Sequence, residues 1–200
     1  MLKDFYKKTM DVVFANFLWI ITSLIGIFLT LGAATSALFR VLFKIITYDE
    51  PTSVLHEFKE GLKENFWFAS IVWLILVILG IPLYFMYIYS LNNGVDILVV
   101  IAIFGAYEWI LFFIYFFPTL AVFKTKNKIQ MIKNVIYLAN KNLWTNTKVL
   151  GSLMFVFILV IYVHISFLVI AIGIYGFLVA FHLKTVFKPY IENLEEEENL

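Results

Sequence analysis

The chain has 200 residues, of which 62% are hydrophobic and 14% charged, against about 45–50% and about 25% in soluble domains. So much apolar surface excludes a soluble globular fold, and lipid must cover part of it. A net charge of +1 gives no field to draw in nucleic acid, and the absence of cysteine excludes disulfides, thiolate nucleophiles and zinc–thiolate sites.

Residues 1–15 mix Lys3, Lys7 and Lys8 with Phe5, Tyr6 and Met10. The apolar run that follows continues past signal-peptide length with no small-residue cleavage site, so it reads as a retained first helix. Residues 12–47 are nearly continuous apolar sequence, interrupted at Thr30-Leu31-Gly32. Asp49-Glu50-Pro51-Thr52 is a helix-start signal, an acidic cap with proline in the first turn. Beyond it Val54, Leu55, Phe58 and Leu62 fall on one face and Glu57, Glu60, Lys63 and Glu64 on the other, the pattern of an amphipathic helix lying on a membrane surface.

Residues 66–90 form a second apolar run, with Pro82 predicted to kink it. Leu91-Asn92-Asn93-Gly94 is a tight turn. Residues 95–123 follow, and the chain reads as organised around this run. It is almost wholly apolar and exceeds the roughly 20 residues a bilayer needs, with the carboxylate of Glu108 at its middle. Residues 124–148 are lysine-rich and carry a second amphipathic pattern: Ile132, Val135, Ile136, Ala139 and Leu143. Residues 149–187 form a 39-residue, predominantly apolar run. As one helix they would run to about 60 Å, twice the ~30 Å hydrocarbon core, so they must fold back. His164-Ile165-Ser166 is the most polar point near the middle. The last ten residues, 191–200, form an acidic tail predicted to be disordered, after a single helical domain at 1–190.

These elements predict an all-α polytopic transmembrane bundle. Six membrane helices arranged as three hairpins place every basic residue in or toward the cytoplasmic half and both termini on that side, because the turns near Gly32, Asn93 and Ile165 lack Lys and Arg. Five helices, with one crossing in residues 12–47, is the alternative. A short repeat favours six. Asn16-Phe17-Leu18-Trp19, Asn65-Phe66-Trp67 and Asn142-Leu143-Trp144 each open a hairpin, and Leu42-Phe43-Lys44, Val122-Phe123-Lys124 and Val186-Phe187-Lys188 each close one. Trp19, Trp67 and Trp144 would serve as interface anchors on the way in, and Lys44, Lys124 and Lys188 as snorkelling cations on the way out.

An isolated carboxylate within a span is expensive and marks a candidate site. Glu108 is either a proton, cation or substrate contact, or a carboxyl that locks helices together. Arg40, mid-way along the second apolar helix, would pair with Glu108 at similar depth or snorkel to the headgroups. Gly32, Ala33, Ser36 and Ala37, and further on Gly176 and Ala180, make small-xxx-small pairs that let helices approach closely. His56, His164 and His182 have no metal-site spacing, and no metal or cofactor is implied.

Residues 16–66 resemble a known family. Asn16 and Trp19 are followed by Leu31-Gly32-Ala33-Ala34-Thr35-Ser36-Ala37-Leu38, a basic helix end, the Asp49-Glu50-Pro51 turn, and Phe58-Lys59-Glu60-Gly61-Leu62-Lys63-Glu64-Asn65-Phe66. This pattern resembles the YesL family of bacterial integral membrane proteins, whose function is unknown. The family usually has proline before the glycine segment, where this chain has Ile25-Gly26-Ile27. Because members often sit near genes for carbohydrate uptake, the resemblance implies a link to sugar import in the bacterial cell membrane. It transfers no catalytic residue.

An enzyme has the least support, since nucleophile elbow, metal cluster, phosphate loop and carboxylates paired at a shared depth in the membrane are all missing from the sequence. An accessory or scaffold component of a carbohydrate-uptake system fits best, with the lipid bilayer, a sugar permease complex or a second copy of the chain as partners. A small secondary transporter with Glu108 in its path is the alternative.

Overall fold

A computed structural model describes residues 2–26, 28–47, 53–124 and 127–198. These are helical with short turns, and no strand occurs among them. The helices are α1 (Leu2–Ile25), α2 (Leu31–Thr47), α3 (Val54–Asn93), α4 (Asp96–Val122), α5 (Lys128–Lys141), α6 (Leu143–Ile158) and α7 (Leu168–Glu198). Five helical stretches are long and apolar enough to cross a bilayer: Lys3–Ile25, Val54–Asn93, Asp96–Val122, Leu143–Val163 and Ile165–Glu192.

The remaining candidate, α2, has 17 residues and spans about 26 Å. It is the centre of the molecule, in contact with α1, α3, α4 and α7. Gly32 through Phe39 are all buried, as are Val41, Leu42, Phe43 and Ile45. The organising element is therefore this small-residue helix and not the apolar run at 95–123. A helix surrounded on several sides needs short side chains so that neighbouring backbones can approach. At Gly32 the approach is tightest, because a Cβ there would sit 2.3 Å from the Ala69 carbonyl oxygen of α3.

That contact explains why the break between α1 and α2 falls earlier than the Gly32 position expected from sequence. The turn includes Gly26 and residues 28–30, and Gly32 lies within the first turn of α2. Phe28 takes a left-handed conformation, φ 63°, which is costly for a bulky residue. The turn is held by Thr30, whose hydroxyl donates to the Thr22 carbonyl at 2.8 Å, and by the indole of Trp73 on α3, which donates to the Phe28 carbonyl at 3.0 Å.

α3 is one helix of 40 residues. The predicted surface helix and the second apolar run are thus continuous, with Ser53 capping the start and Pro82 inside. The expected start signal at residues 49–52 lies outside the described residues. Gly94 ends the helix in the left-handed conformation, its N–H donating to Ser90, and α4 returns against α3. α5 buries Met131, Val135, Leu138 and Ala139 and packs on α4. Its buried stripe is turned from the predicted one: Ile136 and Leu143 are exposed. A protein neighbour, rather than lipid alone, selects that face.

The last apolar run breaks at His164, whose backbone is extended between a π turn (Leu159–Val163) and a 3-10 turn (Ile165–Phe167). His164 Nδ1 accepts from the Ser166 N–H at 3.1 Å. α7 then continues through Pro189 to Glu198, carrying helical backbone into the acidic stretch expected to be disordered. α1 is fastened to α7 by Asn16, which is fully buried. Its amide donates to the Val169 carbonyl at 2.6 Å and accepts from the Gly173 N–H at 2.8 Å. An unperturbed helix bonds those two backbone groups to each other.

Candidate functional site

The polar chemistry gathers where α2 ends against the start of α3. Arg40 and Lys44 lie one turn apart on α2. Glu57 and Glu64, two turns apart, project from α3. Arg40 Nε donates to Glu57 Oε2 at 3.1 Å and Lys44 Nζ to Glu57 Oε1 at 2.6 Å. Arg40 also donates through Nη1 to Glu64, and Lys124, just beyond α4, lies 3.5 Å from the other Glu64 oxygen. Five side chains thus form one chain of ion pairs, with three cations against two carboxylates.

Glu57 is its buried centre, with only 6% of its side chain exposed, whereas Arg40 keeps 20% and Lys124 81%. Both Glu57 oxygens accept from a cation, which is the condition for tolerating a buried carboxylate. Gly61, one turn on from Glu57, lets α3 close on α2: a Cβ there would lie 3.0 Å from the Ala37 Cα and from the Arg40 Cδ. The arrangement ties two helices and leaves an excess of positive charge at the rim. It offers no activated nucleophile or acid–base pair.

The Arg40–Glu108 pair expected from depth does not form. Arg40 is taken by Glu57 and Glu64. Glu108 is half-buried and accepts from the side-chain amide of Asn140 on α5 at 3.3 Å. Equal distance along two apolar runs did not bring the residues level. α5, which carries Lys128, Lys133 and Lys141, packs along α4 and brings Asn140 to Glu108.

The other predicted residues divide. Trp19 turns inward, its indole donating to the Thr35 hydroxyl at 3.0 Å, while Trp67 and Trp144 are exposed. Lys188 lies 3.6 Å from Glu192 on its own helix. Ala33, Ser36, Ala37 and Ala180 are buried, and Gly176 faces Leu42 of α2, 2.9 Å from where its Cβ would be. The three histidines stay apart, and among the described residues no group of His, Asp and Glu could hold a metal ion.

Three features escaped the sequence reading. The charge pattern puts Glu57 on the polar face with Glu60, Lys63 and Glu64, yet Val54, Glu57, Phe58 and Gly61 are spaced i, i+3, i+4, i+7 and share the buried one. Asn16 stands out in the sequence through the repeat and the family pattern, and neither points to α7. Tyr115, fully buried, donates to Asn146 at 2.8 Å, and Asn146 in turn donates to the Ala139 carbonyl at 2.7 Å. That link joins α4, α5 and α6, and no sequence spacing announces it.

A family model described as a protein of unknown function, DUF624, matches residues 12–87. The matched segment contains α2 and four of the five ion-cluster residues, lacking only Lys124. No curated protein and no solved structure matches the chain.

Proposed function

We propose that this chain is a multi-pass protein of the bacterial cell membrane that serves as an accessory or scaffold of a transport system, linked to carbohydrate uptake, and not an enzyme. The observation that carries the reading is the ion cluster. All of it but Lys124 sits on the segment that the family model covers, its groups satisfy one another, and its rim exposes Lys124. A sugar path needs several convergent polar groups left open to the ligand, whereas a rim of exposed charges around a rigid centre suits a docking partner. The carbohydrate link comes from the likeness of residues 16–66 to the YesL family. In this reading α1 and α2 form a short first hairpin, giving three hairpins with both termini in the cytoplasm.

A small transporter using Glu108 is the second reading, favoured by the groove of about 500 Å³ between α3, α4 and α5 that Glu108 lines. Affinity purification followed by mass spectrometry separates the two. An accessory brings down a permease and moves no labelled sugar when reconstituted alone. Sugar movement by the chain alone, with no co-purifying permease, would reverse the assignment.

A further inference from the structure

The contacts of α2 climb α3 in order. Lys44 meets Glu57, Ala37 meets Gly61, Gly32 meets Ala69, and the Phe28 carbonyl meets the indole of Trp73. The turn between α1 and α2 is therefore level with Trp73, about 10 Å along α3 from Phe66, where the apolar run begins. From Trp73 α3 continues to Asn93, about 30 Å further at 1.5 Å per residue. α4 runs alongside, Gly80 facing Trp109 and Gly105 facing Leu83. That remaining length alone equals the ~30 Å hydrocarbon core.

A turn at the far surface would leave all of α3 and α4 beyond Trp73 standing in water. Ile78, Phe85, Val100 and Phe104 are exposed there, and so large an apolar surface does not stay in water. With the α3–α4 hairpin filling the bilayer instead, the α1–α2 turn lies inside hydrocarbon, and its chemistry fits. Its exposed side chains, Ile25, Phe28 and Leu29, are apolar. Thr30 spends its hydroxyl on the Thr22 carbonyl. The N–H groups of Gly26, Phe28 and Leu29 donate to the carbonyls of Thr22, Ser23 and Gly26. The Phe28 carbonyl accepts from both the Leu31 N–H and the Trp73 indole. Backbone in hydrocarbon must have its polar groups satisfied within the protein. The other two turns expose polar side chains, Asn92 and Asn93 in one and His164 and Ser166 in the other.

We propose that α1–α2 is a re-entrant hairpin, which enters from the face that carries the ion cluster and turns back within the membrane, held at depth by the bond from Trp73 to Phe28. The inference rests on the three-hairpin reading above and stops the first hairpin short of the far surface, although α1 alone is long enough to cross.

The chain has no cysteine, so single cysteines report position directly. With an impermeant thiol reagent, Lys63→Cys should label only in inside-out vesicles and Asn92→Cys only on intact cells. Phe28→Cys and Leu29→Cys should label from neither side, and both should label after denaturation in detergent. A spin label on Phe28→Cys in proteoliposomes should be relaxed more by oxygen, which concentrates in hydrocarbon, than by a nickel chelate, which stays in water. Labelling at either turn position from either side of the intact membrane, or relaxation dominated by nickel, overturns the proposal. Where Phe28→Cys does not fold, Leu29→Cys carries both measurements. Exchange of the Lys63 and Asn92 sides, with both turn positions still unlabelled, would reverse the orientation proposed above and uphold the re-entrant turn.

Discussion

Phe43 of α2 stacks on Phe187 of α7 with ring centroids 5.6 Å apart. Phe123, at the end of α4, meets the same ring edge-on at 5.3 Å. These are the phenylalanines of the three Phe-Lys pairs that close the repeat, so the ends of α2 and α4 converge with the body of α7 on one aromatic cluster. Phe187 is fully buried while Phe181 is exposed. Phe187→Ala should cost about 3–5 kcal/mol as a core truncation, and Phe181→Ala within about 0.5 kcal/mol. Thermal unfolding in detergent measures both, and equal losses would mean the cluster is not a core.

The ion cluster predicts unequal losses. Glu57→Leu leaves Arg40 and Lys44 without their buried acceptor and should cost about 3 kcal/mol. Lys44→Met removes a cation whose side chain is 36% exposed but leaves one Glu57 oxygen without its donor, and should cost about 1–2 kcal/mol. Arg40→Leu with Glu57→Leu should lose less than the sum of the two single variants. Additive losses would show that the pair is not coupled.

Two glycines separate close packing from helix propensity. A Cβ at Gly32 collides with the α3 backbone, while one at Gly151 meets nothing within 4 Å. Gly32→Ala should therefore destabilise by about 1–3 kcal/mol or more, and Gly151→Ala should stabilise by up to about 1 kcal/mol. The sign difference, read from melting temperatures of the two variants, is the check.

Asn16 predicts a local effect far away in sequence. Asn16→Leu removes both hydrogen bonds to α7 and buries an apolar group against its backbone, a loss of about 1–3 kcal/mol. Amide exchange at Gly173 should accelerate more than exchange in the middle of α4. Uniform acceleration would indicate global destabilisation with no specific fastening of α7.

Cysteine labelling tests the polar ends. Single cysteines at Lys63 and Lys133, both exposed, should react with an impermeant thiol reagent in inside-out vesicles and not from outside intact cells. Glu57→Cys should stay unreactive on either side, since its position is buried. Labelling of Lys63→Cys and Lys133→Cys from opposite sides would rule out the three-hairpin arrangement.

The sequence by itself determined the class of this protein, because a chain so apolar can fold only where lipid or other helices cover it, and helices satisfy their own backbone. It also located the fold-back at His164, since the most polar point near the middle of an apolar run too long for one crossing marks its exit from hydrocarbon, and it marked Gly32–Ala37 as a surface for close approach. Tertiary structure alone decided which helix lies at the centre, for a small-residue face shows that something approaches but not from how many sides. It also decided the partners of Arg40 and Glu108. Position along a run gives depth only if every run starts at the same level, and here α3 begins well before its apolar part while α5 rises along α4 to reach Glu108. Pairing across helices depends on those offsets, which are set by packing, and packing has no signature in the order of residues along one chain.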